Sequence, residues 1–144
     1  MRRAGPYEIG SDIGALQDAP GLEQIASGVA PCPKVTSAMG TGAWAEVKFF
    51  FHEDGKLYLA ATRSPSIPTP SGAWIGDTLA QLKSIYRGLN GEEVLRGSRK
   101  AYLVTTLSGR GILFELDARG LVAQMMAGDA EYMRRSYQGG KGYC

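Results

Sequence analysis

The chain has 144 residues, 44% hydrophobic and 21% charged, which excludes wholesale disorder and fits an ordinary globular composition. Net charge is only +2, with six basic and seven acidic residues in 1–72 and ten and seven in 73–144, so neither half steers phosphate and a nucleic-acid partner is not expected. A chain of this size can bury roughly 68–70% of its unfolded surface without a metal, and no apolar run approaches the ~20 residues of a membrane span.

Residues 1–8 read as an extended entry. Met1-Arg2-Arg3 begins like a signal peptide, yet no apolar run follows it. The expectation is a cytosolic chain or a mature exported one. A short first helix is predicted from an N-cap at Ser11, with Ile13, Leu16 and Ala19 apolar, stopped by Pro20-Gly21. A short helical piece is expected at Leu22–Ala26. Thr36–Gly42 is small and Gly-rich and reads as loop or weak strand.

Alternation then marks strands. Ala45, Val47, Phe49 and Phe51 alternate with Trp44, Glu46, Lys48 and Phe50; His52-Glu53-Asp54-Gly55 turns; Lys56 to Thr62 returns. Ser64–Gly72 carries three prolines and is expected as a linker or a loop packed across a sheet edge. Asp77 is the expected cap of a second helix, about 77–87, with Leu79, Leu82, Ile85 and Tyr86 on one stripe. Another helical piece is expected near Glu92–Leu95. Strands follow at 99–107, 110–116 and 121–127. In the last of these, Leu121/Ala123/Met125 and Val122/Gln124/Met126 are equally plausible inner faces. A terminal helix is predicted at about 130–137.

The chain repeats itself. Ile9-Gly10-Ser11 with Leu16 recurs 66 residues later as Ile75-Gly76-Asp77 with Leu82. Farther along, Phe49, Phe51 and Gly55 fall at a shift of 65 on Phe114, Leu116 and Gly120. The expected class is α+β: a first α+β repeat at 1–63, a Pro-rich linker or loop at 64–72, and a second repeat with a C-terminal helix at 73–144, each repeat a short helix followed by an antiparallel meander.

The two cysteines bear on compartment. Cys32 lies in Pro31-Cys32-Pro33 and Cys144 ends a Gly-rich tail. A Cys32–Cys144 disulfide would tie the second repeat to the first and close a loop worth roughly 4–5 kcal/mol of unfolded-state entropy. Such bonds persist in oxidising compartments, which points to a secreted or cell-envelope location. The alternative is two free thiols in a cytosolic protein.

Catalytic motifs are scarce. A lone histidine, His52, rules out a paired-His or Cys/His metal cluster. Beside Glu53 and Asp54 it could serve as a general base, but a solvated turn histidine fits the same residues. Gly40-Thr41-Gly42 and Gly139-Gly140-Lys141 lack the rest of a phosphate loop. Adjacent Glu92 and Glu93 point to different faces of a helix. No cofactor is expected.

One aromatic set stands out. If Ala45, Val47, Phe49, Phe51, Leu57 and Leu59 face the helix, Trp44, Phe50 and Tyr58 face away, with Tyr102 at a comparable place in the second copy. Such a set is either a binding surface or the seat of another part of the chain.

The Ile-Gly step, capped short helix and meander with an Asp54-Gly55 or Arg119-Gly120 turn resembles the tandem repeat of β-lactamase inhibitory proteins and BamE-type outer-membrane lipoproteins. It is also similar to small secreted actinobacterial proteins. The resemblance implies a non-catalytic, protein-binding role. The inhibitors carry a disulfide within each repeat, which two cysteines cannot supply here. The leading expectation is thus an exported, inhibitor-like binding module that engages a protein or other extracellular ligand through Trp44, Phe50, Tyr58 and Tyr102. The rival is a small cofactor-free cyclase or isomerase with a pocket between the repeats.

Overall fold

Two glycines set the entry to the first two helices. Gly10 and Gly76 adopt φ of +94° and +95°, a region that side chains with a Cβ rarely enter. Each lets the chain pair briefly with a distant strand before it coils. Gly10 N donates to Leu57 O at 2.8 Å and Leu57 N to Ser11 O at 2.9 Å. Gly76 N donates to Val122 O at 2.8 Å and Val122 N to Asp77 O at 2.9 Å.

The structure is a computed structural model that describes residues 3–4, 7–28, 32–140 and 142–144. Met1, Arg2, Pro31 and Lys141, which figure in the sequence motifs, lie outside the described residues. The elements run β1 (Arg3–Ala4), β2 (Tyr7–Glu8), α1 (Ile13–Asp18), β3 (Glu23–Ser27), β4 (Thr36–Met39), a 3-10 turn (Gly42–Trp44), β5 (Lys48–Phe51) and β6 (Leu57–Thr62). They continue with α2 (Leu79–Ile85), β7 (Asn90–Arg96), β8 (Arg99–Thr105), β9 (Arg110–Leu116), β10 (Val122–Asp129) and α3 (Ala130–Gly139).

The class is α+β, as the sequence predicts. β1 and β2 form a small hairpin, and the other strands make one eight-stranded antiparallel sheet in the order β3-β4-β5-β6-β10-β9-β8-β7. Its two sequential meanders meet where β6 pairs with β10, Ala60 opposite Ala127 and Thr62 opposite Met125.

Both helix caps fall one residue later than predicted. Ser11 and Asp77 still offer their carbonyls to Leu57 and Val122, so coiling cannot begin there. Asp12 caps α1 by accepting from Gly14 N, and Thr78 caps α2 in a reciprocal capping box with Gln81. Asp77 turns back instead to accept from Trp74 N at 2.9 Å.

Two predicted helical pieces are strands. Residues 23–27 and 90–96 form the outer strands β3 and β7. A four- or five-residue segment cannot offset helix nucleation, whereas β7 pairs with β8 along its whole length, from Asn90–Thr105 to Arg96–Arg99. Thr36–Met39, read as loop or weak strand, is a full partner of β5.

The sheet is covered on both faces. On one, α1 brings Leu16 against Tyr7, Phe49, Phe51 and Leu57, and α2 brings Leu82 against Tyr86, Tyr102, Phe114 and Val122. On the other, α3 lays Ala130, Met133 and Tyr137 against Val94, Leu103, Leu113 and Met126. Full burial of one such leucine or phenylalanine contributes roughly 1.5–3 kcal/mol. Cys32 and Cys144 are joined in a disulfide with Cα atoms 5.4 Å apart, so the tail is fixed to the β3–β4 connection.

Bulges set which side chains face where. Phe50 pairs with Leu59 but Phe51 with Leu57, leaving Tyr58 as the extra residue. Glu115 pairs with Gln124 and Leu116 with Val122, leaving Ala123 as the extra one. Leu57 therefore packs under α1 while Leu59 joins the α3 side, not the common face the alternation predicts. The two plausible faces of the last strand are resolved likewise: Val122 and Met125 lie on the α2 side, Met126 on the α3 side.

Candidate functional site

The four aromatic candidates do not share a surface. Trp44 ends the 3-10 turn before β5, where strand alternation does not apply, and packs edge-on to Tyr7 at 6.4 Å on the α1 side. Tyr102 is buried on the α2 side over Gly91. Phe50 and Tyr58 lie on the opposite face, under α3 and the tail. Tyr58 is 8% exposed, stacked on His52 at 3.8 Å and meeting Tyr132 edge-on. The chain thus supplies its own cover for Tyr58, with Phe50 half-buried beside it. His52, the one histidine, stacks on that ring.

A concave pocket lies on the α1/α2 side of the sheet, above the β6–β10 junction. The pocket holds about 580 Å³. Its floor is small: Ala60 and Ala127 are directly paired, with Thr62 and Met125 beside them. Trp44, Val47 and Ala43 wall the α1 end and Ile112 the α2 end, while Ser66–Pro70 runs along the rim with Ile67. Side chains from α1 and α2 leave this middle ground unfilled because each helix is short and packs over its own meander. The Pro-rich segment lies against the sheet at the junction.

That segment is held at both ends. Thr62 Oγ1 donates to Glu46 O at 2.9 Å and accepts from Ser64 N at 3.1 Å, and the Ser64 hydroxyl bonds the Glu46 carboxylate. At the far end Thr69 Oγ1 meets the Tyr86 hydroxyl at 2.6 Å and accepts from Ala73 N at 3.0 Å. Burial pushes Tyr86 above the ordinary tyrosine range, so that hydroxyl stays protonated.

Among the described residues none lining the pocket is ionisable, and no group of three His, Cys, Asp or Glu side chains is placed to hold a metal ion. No helix among them is long and apolar enough to cross a membrane. Of the sequence candidates only Trp44 lines the pocket. Ala60, Ala127, Ile67 and Met125 were not singled out. The trace of Ala60 and Ala127 in the sequence is the small residues toward the ends of their strands, Ala60-Ala61-Thr62 and Ala127-Gly128.

No protein-family model and no curated protein matches the chain. Among solved structures it is similar to an extracellular protein containing an SCP domain from Bacillus anthracis strain Ames. The two are 14% identical with a TM-score of 0.59 over 94% of this chain, which shows a shared fold. The chain spans about half of that protein, 49% of its length.

Proposed function

We propose that this chain is an exported, non-catalytic binding module, built from two copies of one α-then-β unit, whose site is the pocket over the β6–β10 junction. The observation that carries the reading is the chemistry of that pocket: ligand-sized, walled by apolar side chains, and, among the described residues, lined without an acid or base to move a proton. Trp44 remains the anchor of choice, a half-buried aromatic at the wall.

The matched bonds at Gly10 and Gly76, the matched bulges at Tyr58 and Ala123, and the junction of two sequential meanders all support duplication, with units at 1–63 and 73–144 joined by 64–72. The same features support the likeness to inhibitor-type tandem repeats. The disulfide supports a secreted or envelope location, because such a bond survives where thiols are not kept reduced.

The test is a chemical-shift screen of the folded, oxidised protein with small compounds and aromatic-containing peptides spanning charged, polar and apolar classes. Shifts clustering on Trp44, Ile67 and Met125, with the compounds recovered unchanged, support the reading. Shifts that cluster away from the pocket, or chemical turnover of a compound, overturn it.

A further inference from the structure

Resting on that assignment of the site, we infer that the pocket takes an uncharged, apolar small molecule, such as an alkyl chain or fused-ring aromatic, in preference to a charged ligand. The size argues for a whole small molecule: about 580 Å³ lies within the range of small-molecule sites and exceeds what one inserted side chain fills. The chemistry argues for an uncharged one. Trp44, Val47, Ile67, Ile112 and Met125 present hydrocarbon or ring surface. The Thr62 and Thr69 hydroxyls are already engaged, with Glu46 and Ser64 and with Tyr86 and Ala73. Among the described lining residues a buried charge would meet no counter-charge, and desolvation would oppose its entry.

The rim argues for a preformed site. Ser66–Pro70 holds two prolines and is tied at one end through Ser64 to Glu46 and at the other through Thr69 to Tyr86. A concavity with pinned walls suits a compact guest better than a broad protein face. The floor supplies the space. Ala60 faces Ala127 across the central strand pair, where two larger aliphatic side chains would close the gap.

The test uses N-phenyl-1-naphthylamine, a neutral apolar fluorophore, titrated into the full oxidised chain. Saturable 1:1 fluorescence enhancement is expected, roughly tenfold or more weaker in Ala60→Leu and in Ala127→Leu. Those variants should keep the wild-type circular dichroism, since each fills space without burying a polar group. Dodecanol should displace the probe and dodecylammonium should not. No saturable binding, equal binding in both filled variants, or equal displacement by the charged competitor overturns the inference. If peptides perturb Trp44 and Met125 while the fluorophore does not bind, the site stands and the ligand class falls.

Discussion

Tyr58 donates a 2.6 Å hydrogen bond from its hydroxyl to the carbonyl of Tyr143, 85 residues away. Tyr143 in turn donates to Glu115 at 2.7 Å, one residue before the Cys144 disulfide. The tail is thereby held by one covalent link and two hydrogen bonds across the face that carries Phe50 and Tyr58. This arrangement explains why Tyr58 belongs to the interior, while Phe50 stays half-buried beside it. The bulge at Tyr58 turns it toward α3, and the tail closes over it.

The disulfide and this hydrogen bond should be thermodynamically coupled. Paired replacement Cys32→Ser with Cys144→Ser releases a loop spanning 112 residues and should cost roughly 2–5 kcal/mol. Tyr58→Phe alone should cost about 1 kcal/mol. In the cysteine-free background that cost should nearly vanish, because the Tyr143 carbonyl is no longer held in place. Urea unfolding of the four proteins measures this, and strictly additive losses would show that the tail stays docked without its covalent anchor.

Alkaline pH should unfold the protein through these same tyrosines. Burial first, then the neighbouring Tyr132, raises Tyr58 above its ordinary value of 10.0. Burial first, then the bond to Glu115, raises Tyr143. A group with a raised folded-state pKa holds its proton more tightly when folded. Its stabilisation is complete below pH about 10 and is lost as pH climbs toward the folded-state value. Stability should therefore decline above pH 10, with phenolate absorbance at 295 nm rising together with loss of structure. Tyr58→Phe should make the decline shallower. Ionisation of Tyr58 or Tyr143 at pH 10 in fully folded protein, read from their own ring carbon shifts, would contradict this.

Tyr102 acts through packing against Gly91. A Cβ built on Gly91 would stand 2.1 Å from the Tyr102 hydroxyl oxygen and 2.6 Å from the ring. Gly91→Ala should therefore destabilise by about 1–3 kcal/mol, against the usual gain from replacing glycine in a strand. Adding Tyr102→Leu should recover part of the loss by removing the obstructing ring. Thermal unfolding decides it, and a Gly91→Ala variant as stable as the parent would show that Tyr102 simply moves aside.

The legible parts of this fold are those written locally. The repeated Ile9-Gly10 and Ile75-Gly76 steps mark where the first two helices begin, Asp54-Gly55 marks its turn, and the periodicity of Leu79, Leu82 and Ile85 marks its helix. Cys32 and Cys144 had only each other. What local pattern cannot carry is the identity of the partner strand. A bulge such as Tyr58 exists only relative to Phe50 and Phe51, so the alternation of 56–62 placed Leu57 and Leu59 together when they part. Glu92–Leu95 became strand because β8 was there to pair with it. The pocket was hidden for the same reason, since Ala60 and Ala127 mean little until β6 meets β10.

The rim of the pocket depends on Tyr86. Its hydroxyl lies 2.6 Å from Thr69 Oγ1, which also receives the Ala73 amide, and Thr69 N donates to Ala73 O at 2.9 Å. Tyr86→Phe keeps the ring in the α2 core and removes only the hydroxyl. The expected cost is about 1 kcal/mol, so the fully buried Ala73 amide should exchange with solvent roughly fivefold faster while amides of β9 and β10 are little changed. Local acceleration is the informative outcome, because it separates a loosened rim from a weakened core. Uniform acceleration across the sheet would instead make Tyr86 a general core residue, and unchanged exchange at Ala73 would mean that Ser66–Pro70 is held by its other contacts.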